Sequence, residues 1–293
     1  MATLNIVFAS DMSYAEHLAV AMCSLFETNG DLRFDVYIVN SDIDRKTWDK
    51  IAMLAERYGH KLIDVRISDQ ALTGVVLGHH FSKANYYRLF IPEELGAAKA
   101  LYLDSDIVVN GSIKELYEVI LDDCYLAAVI NPGFDRHEEL EMSKESKYFN
   151  SGVMLLNLTK WRQDGVKARV IELVKRKPDA IQYVDQCGIN SVVDGRWVEI
   201  HPKFNVQSSF FGAGAELYAQ LFKSGELAEA LRNPVIIHYT GTSKPWQFRN
   251  AHRYRSLYWK YLRMTPFRHY VSKDLNIPHV VRWCIHRLGK HGR

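Results

Sequence analysis

An alternation of short apolar runs with segments of helical period constrains this chain most. Residues 4–10, 34–40 and 61–67 are strand-like runs, separated by helical segments at 14–27 and 44–58. Ile6-Val7-Phe8-Ala9 is apolar at consecutive positions, as a strand buried on both faces reads. In the segments between, Leu18, Ala21, Met22 and Leu25 form one stripe, and Trp48, Ile51, Ala52 and Ala55 another. Farther on, runs at 99–109, 125–130, 152–157 and 235–239 read as strands, and 161–175 and 185–193 as helices. This order predicts an α/β fold with a mostly parallel sheet flanked by helices.

The chain has 293 residues, enough for one large domain or a domain with an appendage. With 47% hydrophobic and 24% charged residues it is not a disordered chain. Cys23, Cys124, Cys187 and Cys284 lack the spacing of a zinc site or a disulfide framework. The start, Met1-Ala2-Thr3-Leu4-Asn5, has no basic region ahead of an apolar core, and no run reaches the roughly 18 apolar residues of a spanning helix. A reduced, cytosolic setting is expected.

The net charge of +3 hides an asymmetry. From Lys244 onward there are 12 Lys/Arg against one acid, Asp274, so the preceding part is acidic overall. Such a split predicts a main domain over 1–247 and a basic, aromatic-rich extension over 248–293 that meets an anionic partner.

Two constellations carry chemistry. Asp104-Ser105-Asp106 interrupts the run Leu101-Tyr102-Leu103 … Ile107-Val108-Val109. Alternate residues of an extended segment point the same way, so both carboxylates can reach one hard cation. Two acids amid apolar residues are costly unless a metal or hydrogen bonds compensate them. The competing reading is a solvated loop, since the pattern also arises by chance. The second constellation is His238-Tyr239-Thr240-Gly241-Thr242-Ser243-Lys244-Pro245-Trp246. A neutral imidazole can complete a site begun by two carboxylates. Gly241 permits close backbone approach, and Lys244 offers a point charge to a phosphate.

Together these residues resemble glycosyltransferase family 8. The likeness extends to Val7-Phe8-Ala9-Ser10-Asp11 with Tyr14, and to Ser82–Leu89 with Tyr86, Tyr87 and Arg88. It includes Tyr148-Phe149-Asn150-Ser151-Gly152-Val153 and the pair Asp185-Gln186, and covers roughly residues 4 to 265. The resemblance implies a GT-A fold and a UDP-sugar donor, UDP-glucose or UDP-galactose. It implies Mn2+ or Mg2+ held by Asp104, Asp106 and His238, which would stabilise departing UDP. Ala9, Asp11, Ser13 and Tyr14 would hold uracil and ribose. Ser105, Gly241 and Lys244 would lie along the donor, with Lys244 and the amides near Gly241 on the phosphates. Arg88, Asn150, Gly152 and Asp185 would hold sugar hydroxyls, and Gln186 would lie near the anomeric carbon.

The family retains anomeric configuration, so an α-glycoside is expected. An amide is a poor nucleophile, so among Asp185 and Gln186 the second argues for front-face substitution over a covalent intermediate. Asn131 reads either as an acceptor-side residue or as a plain loop start. Residues 135–147, rich in Glu and Lys, read either as a solvated surface helix or as a loop that folds over the donor.

In the extension, Val281, Cys284, Ile285 and Leu288 follow helical spacing, with Arg282, Arg287 and Lys290 around them. That predicts an interfacial helix on an anionic membrane surface; packing on the catalytic domain is the alternative, and no nucleic-acid motif is present. The expectation is a metal-dependent hexosyltransferase extending a surface glycan such as lipopolysaccharide, peripheral on the inner face of the membrane. A glycogenin-like self-glucosylating protein and a catalytically silent UDP-sugar-binding module are the competing readings.

Overall fold

The computed structural model describes residues 3–68, 72–75, 83–212 and 215–275. The predicted residues Ser82, Val281, Arg282, Cys284, Ile285, Arg287, Leu288 and Lys290 lie outside them. Among the described residues, ten strands form two sheets: β1 Thr3–Ala9, β2 Arg33–Asn40, β3 Lys61–Arg66, β4 Lys99–Leu103, β5 Ile107–Val109, β6 Leu126–Ile130, β7 Phe149–Asn157, β8 Val198–Glu199, β9 Val206–Gln207 and β10 Ile236–His238.

The larger sheet has seven strands in the order β3-β2-β1-β4-β7-β6-β8. Only the pairs β4·β7 and β6·β7 are antiparallel; the others are parallel. Along β1, Ile6 and Phe8 enter one core and Val7 and Ala9 the other, which is why the run is apolar at every position. The helix Ala15–Thr28 covers the first face with Leu18, Met22 and Leu25. Trp161, Val170 and Ile189 cover the second.

The smaller sheet has the order β5-β10-β9. The run at 99–109 is therefore two strands in two different sheets, and Asp104-Ser105-Asp106 is the step between them. Register then places the chemistry. β10 is antiparallel to β5 with His238 opposite Ile107, the residue after Asp106. Leu103 faces Val153 across the β4·β7 pair, and the Asp104 amide donates to the Gly152 carbonyl (2.8 Å).

Two local expectations are corrected. The single helix at 161–175 is two, Leu158–Gln163 and Val166–Arg176, because Gly165 is left-handed (φ 58°) and breaks the ladder. Residues 135–147 form turns rather than a surface helix. Leu140 and Met142 are buried with Tyr148 and Cys187, and Glu141 pairs with Arg176 (2.7 Å) and Lys177 (2.8 Å).

The start of the extension is built into the main core. Tyr258, Tyr261 and Leu262 of the helix Arg255–Leu262, with Trp246 and Phe267, join the cluster around Ile6 and Leu18. Among the described residues, no helix is long and apolar enough to cross a membrane.

Candidate active site

A cavity of about 920 Å³ opens at the carboxyl ends of β1 and β4, where open α/β sheets present ligand sites. Its lining includes Ala9, Asp11, Ser13, Tyr14, Arg88, Asp104, Ser105, Asp106, Asn131, Asn150, Asp185, Gln186, His238, Gly241 and Lys244. Of the residues expected to bind donor or metal or to act in catalysis, all but Gly152 line this cavity. None of residues 135–147 contributes to it.

The step from β4 to β5 is stitched down on three sides. Asp104 is held by the Gly152 carbonyl, the Ser105 hydroxyl donates to the Ala9 carbonyl (3.2 Å), and the Tyr239 amide donates to the Asp106 carbonyl (3.0 Å). With the backbone so fixed, the carboxylates meet the imidazole. His238 Nε2 lies 3.6 Å from Asp104 Oδ2 and 3.3 Å from Asp106 Oδ1. The donor atoms of Asp104, Asp106 and His238 all lie within 4.8 Å of one another. Gly152 stands behind this group, and a Cβ on it would overlap the His238 ring and come within 2.6 Å of Asp104 Oδ2. Its part is to leave room for the triad rather than to line the cavity. Two carboxylates and one imidazole in a cradle only glycine permits form a donor set that fits Mn2+ or Mg2+.

The outer sides of the carboxylates are already partnered. Asp104 Oδ1 accepts from Arg88 Nη2 (2.9 Å) and Tyr102 Oη (2.6 Å). Asp106 Oδ2 accepts from Lys244 Nζ (2.5 Å), which also donates to the Tyr239 carbonyl. Burial alone would raise the Asp106 carboxyl, but Lys244 and His238 hold it far below the usual carboxylate range.

Arg88 is buried and spans two acids. Its Nε lies 3.1 Å from Asp185 Oδ2, its Nη1 donates to the Ser151 carbonyl (2.7 Å), and its plane lies over the Tyr102 ring. Although burial opposes its charge, Asp104 and Asp185 hold the guanidinium protonated more firmly than usual. Burial pushes the Asp185 carboxyl up to about 7 despite the pull of Arg88. Asp185 and Gln186 open the helix Val184–Val193, and Val184 is left-handed (φ 36°), which for a β-branched residue costs about 1–3 kcal/mol. Gln186 Oε1 accepts from the Ser151 amide (3.0 Å) and from Asn150 Nδ2 (3.3 Å).

At the β1 end, Asp11 Oδ1 caps the turn Met12–Tyr14, accepting from the Ser13 and Tyr14 amides and the Ser13 hydroxyl. Tyr14 meets Trp246 edge-on, with ring centroids 5.6 Å apart. Trp246 is stacked on His17 at 3.6 Å, and His17 Nδ1 bonds Tyr258 Oη (2.7 Å). The helix Arg255–Leu262 therefore backs the aromatic wall around Tyr14.

Sequence reasoning missed Tyr102, Ser151 and Asn205. Tyr102 reads as an ordinary strand residue, and its tie to Asp104 follows only from alternate residues sharing a face. Ser151 lies inside a noted motif without drawing a role. Asn205 carries no sequence signal, because its place beside His238 is set by the pairing of β9 with β10.

The family model of glycosyl transferase family 8 matches residues 5–250. General stress protein A of Bacillus subtilis is 28% identical over 270 residues, covering 89% of this chain and 94% of that protein. The lipopolysaccharide 1,2-glucosyltransferase of Escherichia coli is 28% identical, covering 83% of this chain and 72% of that one. Glycosyltransferase GlyB of Streptococcus pneumoniae is 32% identical over 89% of this chain, which spans 62% of that longer protein. In structure, the galactosyltransferase LgtC in complex with donor and acceptor sugar analogs superposes with a TM-score of 0.80 at 25% identity, covering 92% of this chain and 98% of that one. The fold is that of a glycosyltransferase with a GT-A sheet. The chain belongs to glycosyl transferase family 8.

Proposed function

We propose that this protein is a retaining α-hexosyltransferase. It moves glucose or galactose from a UDP-sugar to a saccharide acceptor of a surface glycan such as lipopolysaccharide, with a divalent ion. The convergence of Asp104, Asp106 and His238, with Lys244 at hand, carries this reading. The relatives named for lipopolysaccharide glucosyl transfer and galactosyl transfer support the substrate class.

When bound, Mn2+ or Mg2+ supplies positive charge against the diphosphate of the leaving nucleotide. The chain's own residues do the rest. Lys244 and the amides near Gly241 hold phosphate oxygens, and Ala9, Asp11, Ser13 and Tyr14 hold the nucleoside. Arg88 fixes Asp104 and Asp185, so one ion ligand and one sugar contact are rigid before the donor arrives.

Front-face substitution suits this wall. Among the described lining residues the carboxylates are Asp11, Asp104, Asp106 and Asp185. Asp11 caps a turn, Asp104 and Asp106 face the ion site, and Asp185 is locked to Arg88, while the Gln186 carbonyl oxygen already accepts two hydrogen bonds. None is free as a nucleophile. The bond from the anomeric carbon to the β-phosphate oxygen breaks, the acceptor oxygen bonds the same face, and the acceptor proton passes to the leaving phosphate.

The test is a UDP-sugar panel with Mn2+, reading UDP release and the anomeric configuration of the product. Metal-dependent release that Asp106→Ala abolishes is expected. Release equal to that variant's would revive the silent binding module. Peripheral attachment to the inner membrane face through the basic extension 248–293 belongs to the same reading. Vesicle flotation tests it: Arg282→Glu, Arg287→Glu and Lys290→Glu together should abolish binding to anionic vesicles, and unchanged binding refutes it.

A further inference from the structure

His238 can complete a cation site only if its Nε2 carries a lone pair, and the structure contains a chain of polarity that decides this. The chain starts from two backbone amides, whose direction is not open to choice. The Gly152 amide donates to Asn150 Oδ1 (3.0 Å), so that atom is the carbonyl oxygen. The Ser151 amide donates to Gln186 Oε1 (3.0 Å), and Asn150 presents its amino group to the same oxygen (3.3 Å). Asn150 is thus oriented from both ends.

Asn205 is fully buried, and its amino group donates to Asn150 Oδ1 (2.9 Å). Reversing it would set two carbonyl oxygens against each other. Its own Oδ1 must then face His238 Nδ1, 3.0 Å away. An oxygen with no proton there requires that Nδ1 be the protonated nitrogen. Nε2 is left as the ring nitrogen turned toward the two carboxylates, 3.3 Å and 3.6 Å away, and in the neutral ring it carries the lone pair.

We infer that Asn205 is a positioning residue: with Asn150 and Gln186 it fixes His238 in the Nδ1–H tautomer and so readies Nε2 as a metal ligand. This rests on the reading of Asp104, Asp106 and His238 as the metal site, and goes beyond it by naming what sets the ligand atom. Outer partners of this kind are worth about 10- to 100-fold in metal affinity.

Two measurements test it on the full chain. With 15N-labelled histidine, long-range proton–nitrogen correlation should show His238 with a protonated Nδ1 in metal-free protein, and with Nε2 bare once Mg2+ and UDP are bound; a bare Nδ1 in either state overturns the inference. The second counts Mn2+ binding in the presence of UDP by electron paramagnetic resonance. Asn205→Leu, similar in size, should weaken binding about 10- to 100-fold. Asn205→Asp keeps an acceptor for Nδ1–H while losing the bond to Asn150. Its melting point should fall as Asn205→Leu does, yet its Mn2+ affinity should stay within a few-fold of the parent. Equal losses of affinity in both variants, or none in Asn205→Leu, overturn the role of Asn205 alone. A parent protein that binds no Mn2+ overturns the metal reading itself.

Discussion

Gly152 lies directly behind His238, so close that a methyl group on it would overlap the imidazole. Neither neighbour is a loose chain end that can swing away. His238 is held by Asn205, and Asp104 by Arg88 and Tyr102. Gly152→Ala must therefore displace the triad or strain β7. Overpacking of this kind costs about 1–3 kcal/mol, and a shift of about 1 Å at reacting groups costs about 100-fold in rate. The expected result is a folded protein with a modestly lower melting point and a kcat/KM down about 100-fold. Calorimetry and UDP-release kinetics on the same sample check it.

On the proposed metal reading, Lys244 and a bound cation would compete for Asp106. The ammonium sits on Asp106 Oδ2, so a divalent ion drawing on the same carboxylate would weaken that pair and free Lys244 for a phosphate. Lys244→Met should make Mn2+ bind a few-fold more tightly without nucleotide, and should weaken UDP about 10-fold when Mn2+ is saturating. Titrations with and without UDP separate the two effects. A variant that loses Mn2+ affinity in the absence of UDP contradicts the competition.

Much of this site was legible because its residues stand in short motifs at strand ends. Asp104-Ser105-Asp106 announced itself by interrupting an apolar run, and the strand–helix order gave the parallel half of the sheet. The rest depends on pairings between distant segments. The run at 99–109 looks like one strand because both halves are buried; only the partners, β7 for one half and β10 for the other, show that it crosses between sheets. β8 and β9 have two residues each, too few for any periodicity. Arg88 read as a sugar contact, yet most of its donors are spent inside the protein on Asp104, Asp185 and Ser151.

The aromatic wall gives the stability a pH dependence. Burial, with Lys273 adding, lowers His17 from its usual range to about 3. Folded protein therefore keeps His17 neutral where the unfolded chain, titrating near 6.5, takes up a proton. The unfolded state binds more protons between about pH 6.5 and pH 3, so stability is lost as pH falls through that window. At pH 5 the loss from this group is about 2 kcal/mol. His17→Phe keeps a ring against Trp246 but cannot titrate. Urea melts at pH 7.5 and pH 5 should show a smaller acid loss in the variant by about that amount; parallel curves would exclude His17 as the cause.

Among the described residues, Arg88 is the one bonded to both Asp104 and Asp185, and its removal takes the cation from two acids at once. Breaking a buried ion pair from one side costs about 3–5 kcal/mol, because the surviving charge keeps its desolvation penalty. Arg88→Met should therefore unfold at markedly lower urea. The penalty resides in the orphaned carboxylate rather than in the lost cation, which gives a second check. Asp185→Asn in the Arg88→Met background replaces a buried charge with an amide of the same shape and should recover about 0.5–3 kcal/mol, although Asp185→Asn alone destabilises the parent. Because Asp185 is pushed up by burial even beside Arg88, losing Arg88 raises it further, so the deficit of Arg88→Met should shrink as the solution is acidified from pH 8 to pH 6. Paired urea melts across that range read the change directly, and a deficit that stays constant with pH would place the cost in packing instead of charge.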